Sequence, residues 1–184
     1  RGSEIVRADE SAYVEGERYA SVELESAGSF DALERWADRL EGEGRYADNV
    51  PKFPTYFMRG LTSLTPHEGP IMRPKISDTL DFEAELVAII GKRVRGLTKE
   101  NAYSCIAGWS CFNDGSVREW QKRTTQWDVG KNFDSTGGFG PWMVTADALK
   151  DITSQTLTTH VNGVIKQQAT IDMMIFDIPS LIHY

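Results

Sequence analysis

The chain has 184 residues, a mass of 20.6 kDa and a formal net charge of −7 at pH 7. That length supports one substantial core, or one core with a small appendage, and 40% hydrophobic with 26% charged residues is ordinary for a globular protein. The acidic balance argues against a nucleic-acid partner, and no apolar run approaches the roughly 20 residues that span a bilayer, so no membrane partner is expected.

Arg1 to Val6 contains no apolar signal core. Cys105 and Cys111 lack CxxC spacing and read as two buried thiols in a reducing compartment, so a cytoplasmic location is expected. Ser11 to Glu25 reads as two short strands, Tyr13-Val14 and Tyr19 to Leu24, around a Glu-Gly turn. Phe30, Leu33, Trp36, Ala37 and Leu40 fall at helical spacing with Ser29 as N-cap. Gly42 to Pro54 is polar and carries glycine and proline, so it reads as a loop.

Thr55 to Met58 is strand-like, and the turn-rich Thr65 to Pro70 leads into Ile71-Met72-Arg73-Pro74. The strongest strand is Phe82 to Ile90, whose Leu86-Val87-Ala88-Ile89-Ile90 run is apolar and β-branched. Lys99 to Ile106 predicts a short helix capped by Thr98, and Trp109 to Asn113 a buried strand. Gly137 to Pro141 reads as a flexible loop ending in a rigid turn. Trp142 to Val144, Thr156 to Val161 and Val164 to Gln168 complete a β-rich second half, with Asn162-Gly163 the strongest hairpin turn. The fold class is α+β, with a small N-terminal α/β portion over 1–50 and a mostly β body over 51–184.

Glu83 and Glu85 stand one residue apart on a predicted strand, so both carboxylates point to one face. Such a pair is either half of a site for a hard divalent ion or a solvated edge; the apolar run that follows balances the two readings. Asp114 sits at a strand end, and taken alone it is an ordinary turn aspartate. Arg118 can pair with a substrate carboxylate or form a surface ion pair, and taken alone the ion pair is preferred. Lys131 beside a metal can stabilise an enolate oxygen and exchange a proton.

Taken in order, these residues resemble the fumarylacetoacetate hydrolase superfamily. Leu80 to Lys92 is similar to its D-[YF]-E-x-E-L-x-x-V-I-G segment. Ala107-Gly108-Trp109, Asn113-Asp114, Arg118 and Gln121 resemble A-G-[YW]…N-D-x-x-x-R-x-x-Q. Gly130 to Asp134 with Gly140-Pro141-Trp142 resembles G-K-x-[FL]-D…G-P-[WF], and Asn162-Gly163, Gln167 and Met174-Ile175-Phe176 resemble N-G-x-x-x-Q…D-M-I-F.

The resemblance implies a mixed β-roll body and a Mg²⁺ or Mn²⁺ ion held by Glu83, Glu85 and Asp114. Lys131, Gln121 and Arg118 would serve a small 2-keto acid substrate. The implied reactions are cleavage, decarboxylation or isomerisation of such an acid or its enol, as in breakdown of aromatic compounds or sugar acids, and the implied assembly is a homodimer. Two departures stand out. The family's N-Y-x-x-H-x-x-E segment has its nearest counterpart in Arg35 to Gly42, with Arg39 in place of histidine and Gly42 in place of glutamate, which weakens a hydrolase assignment. The chain also ends at Leu181-Ile182-His183-Tyr184, before the family's L-x-P-G-D segment, so a fragment or a shortened relative is expected.

Overall fold

A computed structural model of the chain describes residues 20–26 and 51–184. Its strands are β1 (Ala20–Ser26), β2 (Leu64–Pro66), β3 (Leu80–Asp81), β4 (Ala84–Ile90), β5 (Ile106–Asp114), β6 (Ser116–Val117), β7 (Gly137–Thr145), β8 (Gln155–Val161) and β9 (Val164–Thr170). Three short α-helices, α1 (Arg118–Gln121), α2 (Asp128–Lys131) and α3 (Ile178–His183), join three 3₁₀ turns, so the described chain is sheet-rich with few helices. None of these helices is long and apolar enough to cross a membrane.

The core follows from β5, the longest run able to be buried on both faces. Its neighbours are antiparallel, β4 on one side and β7 on the other, and β2 adds parallel to β7 in the order β2-β7-β5-β4. Apolar side chains from Ile106, Trp109 and Cys111 meet Ile152, Leu157, Ile171 and Ile178, with Leu86 and Ala88 of β4 packed against them. A second sheet, β1-β8-β9, is antiparallel throughout, and a two-stranded pair, β3-β6, sits beside the end of β5. Asn162 and Gly163 close the β8–β9 hairpin with φ of 53° and 76°, the left-handed pair that a two-residue turn requires. Both cysteines are buried, as the sequence suggests.

Four expectations are corrected. Thr55 to Met58 is not a strand. Side chains satisfy its backbone instead, Met58 N–H donating to Asp128 Oδ1 at 3.2 Å and Asn132 Nδ2 donating to the Met58 carbonyl at 2.7 Å. Gly137 to Pro141 is not a loop but the start of β7. A Cβ on Gly137 would lie 2.6 Å from the Phe112 ring and 2.7 Å from the Arg59 guanidinium, so this glycine provides close approach rather than flexibility. The strand expected from Phe82 begins at Ala84, because the N–H groups of Glu83 and Ala84 donate to the side chains of Asn113 and Gln167, at 3.2 and 2.9 Å. The Lys99–Cys105 helix is 3₁₀, and Thr98 at its N-cap makes no capping side-chain bond to the backbone. Tyr13-Val14, the Phe30–Leu40 helix with Ser29, and Arg35 to Gly42 lie outside the described residues.

Candidate functional site

β5 ends by placing Asp114 fully buried, and Gly115 turns the chain at once, since a Cβ there would collide with the Thr136 carbonyl. Asp114 N–H donates to the Glu83 carbonyl at 3.0 Å, which ties the link before β4 to the end of β5. Glu85 follows on β4, opposite Phe112. Glu83, Glu85 and Asp114 thereby converge, with one carboxylate oxygen of each lying within 4.8 Å of the others.

Cations surround this cage. Lys131 is 1% exposed, and its Nζ donates to Asp114 Oδ2 at 2.6 Å and to Glu83 Oε2 at 2.9 Å. It reaches the cage because α1 and α2 press together at Gly130, where a Cβ would strike the Gln121 backbone. The Phe57 ring covers the ammonium at 4.8 Å. Arg118 Nη1 donates to Glu83 Oε1, and to Gln121 Oε1 at 3.0 Å, while its Nε and Nη2 hold Asp81 Oδ2 at 2.8 and 2.7 Å. Glu83 Oε1 also accepts from Ser116 Oγ at 3.2 Å.

Sequence reasoning missed Arg59. Its Nη1 donates to Asp114 Oδ1 and to the Gly115 carbonyl at 3.1 Å, and its Nη2 donates to Thr136 Oγ1 at 2.8 Å and to the Ser63 carbonyl at 3.4 Å. Nε meets Ser63 Oγ at 3.3 Å. Asn132 aims this arginine, because its side-chain amide donates to the Met58 carbonyl and accepts from Gly60 N–H at 2.6 Å, on either side of Arg59. A signal existed: Arg59 is the only charge from Phe53 to Pro66, and a lone charge in an apolar and hydroxyl-rich stretch needs a buried partner.

The three carboxylates differ in electrostatics. Burial raises the Glu83 pKa, but the hydrogen bond and charge of Lys131, followed by Arg118, outweigh it and hold Glu83 below the ordinary value. Glu85 is pushed up to about 7, first by burial and then by the charges of Asp114 and Glu83, against partial relief from Lys131 and Arg59. Among the described residues no ion pair reaches Glu85 directly. Arg118 is raised above its usual value; burial works against this, and Glu83 and Asp81 prevail.

All six residues expected from the sequence therefore gather in one place, with Arg118 bonded to chain carboxylates and Gln121 buried beside it. A cavity of about 380 Å³ lined by Tyr103, Trp109, Lys150 and Thr153 is separate, and no cage residue lines it.

Comparisons with known proteins bear on the family and the fold. The sequence profile of the family described as "Fumarylacetoacetate (FAA) hydrolase C-terminal" matches residues 27–184. An oxaloacetate tautomerase of Bacillus subtilis is 35% identical over 141 residues, which is 76% of this chain and 46% of that protein. A fumarylacetoacetate hydrolase from psychrophilic Exiguobacterium antarcticum superposes with a TM-score of 0.68 at 28% identity, covering 90% of this chain and 56% of that one. A fumarylpyruvate hydrolase from Pseudomonas aeruginosa, solved in complex with Mn²⁺ and pyruvate, shares the fold with a TM-score of 0.67 at 23% identity, over 78% of this chain and 64% of that one. The chain spans about half the length of the curated relatives it matches.

Proposed function

The chain belongs to the fumarylacetoacetate hydrolase family, and on that premise we propose that it is a Mg²⁺- or Mn²⁺-dependent enzyme acting on a short 2-keto acid or its enol. The reaction we favour is isomerisation by proton transfer at that acid, or decarboxylation, in which the C–C bond to the departing CO₂ breaks and the enolate left behind takes up a proton. One observation carries the reading: Glu83, Glu85 and Asp114 converge around a buried lysine. The donor set fits the ion. It is all oxygen, as a hard divalent cation prefers, and the pressure of Asp114 and Glu83 on Glu85 is what such a cation would relieve. When bound, the ion supplies Lewis-acid polarisation of the 2-keto group.

The chain's own residues do the rest. Lys131 Nζ, walled by Phe57 and kept from water, holds or delivers a proton at the substrate oxygen that gains charge. Gln121 orients the substrate from the neighbouring helix. Arg118 stands behind both, with most of its donors committed to Asp81, Glu83 and Gln121. The 35% identity to an oxaloacetate tautomerase supports proton-transfer chemistry on a small keto diacid. Cleavage of an acylpyruvate- or fumarylacetoacetate-type C–C bond is the second reading, favoured by the likeness to the Exiguobacterium hydrolase. It needs a water-activating base, and none of the histidines among the described residues joins the carboxylate cluster. We further propose a homodimer as the working assembly.

The test is thermal unfolding of EDTA-stripped protein with Mg²⁺ or Mn²⁺, each with and without oxalate, an analogue of a keto-acid enolate. A metal-dependent rise in stability, enlarged by oxalate, is expected. No shift with any metal would refute the assignment, and so would unchanged Mg²⁺ affinity in both Glu83→Ala and Asp114→Ala.

A further inference from the structure

Toward the end of β5 away from the carboxylate cage, a cavity of about 380 Å³ opens between β5, the 3₁₀ turn over Lys99–Cys105 and the stretch after β7. That volume falls at the small end of ligand cavities, about 300–1,000 Å³, and leaves room for one substituted ring. Its walls are apolar and aromatic. Ile106 and Trp109 come from β5, Leu149 and Ile152 from the link to β8, and the Tyr103 ring meets the Trp109 indole edge-on at 6.3 Å.

Two polar features decide what can occupy this space. The first is a donor. Trp109 is 2% exposed, and its indole Nε1 is buried with no hydrogen-bond partner among the described residues. An indole N–H can only donate, so an acceptor is the one group that satisfies it. The second feature is charge. Asp151 at the rim commits its Oδ1 to Thr153 Oγ1 at 2.8 Å and to Ser154 N–H at 3.3 Å, and Asp177 Oδ1 caps α3 by accepting from Ser180 N–H at 2.7 Å. Burial, then the charges of Asp177 and Asp151, raise the Tyr103 pKa, so the phenol keeps its proton and the field around it opposes a further anion. Lys150 is the only cation among the lining residues, and it is exposed, where water and salt screen it.

We propose that this cavity is a second ligand site, taking a small uncharged aromatic molecule whose carbonyl oxygen accepts from Trp109 Nε1 while its ring packs among Tyr103, Ile106 and Leu149. The walls supply the affinity through apolar burial, and the orphan indole N–H supplies the direction. The keto acid assigned to the cage is anionic, so the two ends of β5 select opposite chemistries, and this site stands whether or not the cage binds a metal.

The test uses acetophenone, an aromatic ketone, added to the ¹⁵N-labelled full chain and followed at the indole N–H resonances of its five tryptophans, assigned by through-bond correlation. Acetophenone is expected to move the Trp109 signal selectively and saturably. Benzoate, the same ring bearing a charge, and toluene, the same ring without an oxygen, are expected to bind about fivefold or more weakly. Ala146→Phe grows a ring from the cavity wall and leaves the indole in place, so it should abolish the shift while circular dichroism shows the fold retained. Should that variant not fold, the comparison of the three ligands on the unmodified chain decides. A Trp109 signal unmoved up to the solubility of acetophenone overturns the proposal, as does equally tight binding of benzoate or toluene, or undiminished binding to folded Ala146→Phe.

Discussion

β5 buries both of its ends by opposite means. From Ile106 to Cys111 its side chains join Ile152, Leu157, Ile171 and Ile178 in an apolar cluster; from Asn113 the buried polar groups beyond it include Asp114, Ser116, Gln121, Lys131 and Thr136, beside the apolar Val117. Apolar burial is non-directional and grows with area removed from water, so the first end tolerates reshaping that conserves volume. Burial of charge is stabilised only by named partners in place, so the second end is all-or-none. One strand therefore carries a region that holds the fold and a region that the fold must hold.

The largest expected effects come from breaking each end separately. Trp109→Ala should lose about 3–5 kcal/mol of stability through the cavity it leaves. In whatever fraction stays folded, its metal affinity should be unchanged. Asp114→Ala should lose a similar amount, about 3–5 kcal/mol, because Arg59 and Lys131 are left buried without their shared carboxylate, and its metal binding should vanish as well. Urea titration with calorimetric Mn²⁺ binding checks both variants; equal loss of affinity in the two would erase the contrast between the ends of β5.

A smaller effect sharpens the comparison within the cage. The Glu85 carboxyl binds its proton more tightly in the folded chain, at about 7 against an ordinary 4.5. Its contribution is therefore fully present below the unfolded value and is lost as pH rises to the folded one, by at most about 3 kcal/mol. Glu83 has the opposite sign, its depressed pKa stabilising the fold above its unfolded value. Comparing wild type with Glu85→Gln isolates the first contribution. Without metal, the variant should match wild type near pH 4 and exceed it by about 1–3 kcal/mol near pH 8, while binding Mn²⁺ more than about tenfold more weakly. Equal stability at both pH values would show that Glu85 is not under charge pressure.

The smallest effect lies far from both ends. At Gly163, with φ of 76° and open space around a would-be Cβ, alanine meets no neighbour and pays only for its backbone conformation. Gly163→Ala should lower stability by about 1 kcal/mol with no change in metal affinity, as read from matched thermal and binding curves.

Legibility followed the same division. β4, β5, β8 and β9 declare themselves by apolar and β-branched residues and by the Asn162-Gly163 turn, because local pattern suffices there, even in β9, where Val164 and Ile165 stay exposed. The cage is different. Glu83 lies in a link rather than on the strand that its spacing suggested, and its convergence with Glu85 depends on Asn113 and on the Glu83 carbonyl bonded to Asp114. Such long-range bonds leave no period in a sequence, so the cage was legible through family resemblance rather than through spacing. Arg59 was hidden for a related reason. Its segment is coil, and the groups that position it come from residues 63, 132 and 136.

The grip of Asn132 on the backbone around Arg59 bears on how this protein tolerates changes of length. Coil segments usually absorb inserted residues, and the exposed stretch through Gly96, where φ is 65° and nothing crowds the backbone, should accept them. The coil from Phe57 to Gly60 should not. One added residue there would carry the guanidinium out of register with its carboxylate, as a one-residue slip does in a strand, so this unstructured-looking run is a measured ruler rather than a spacer.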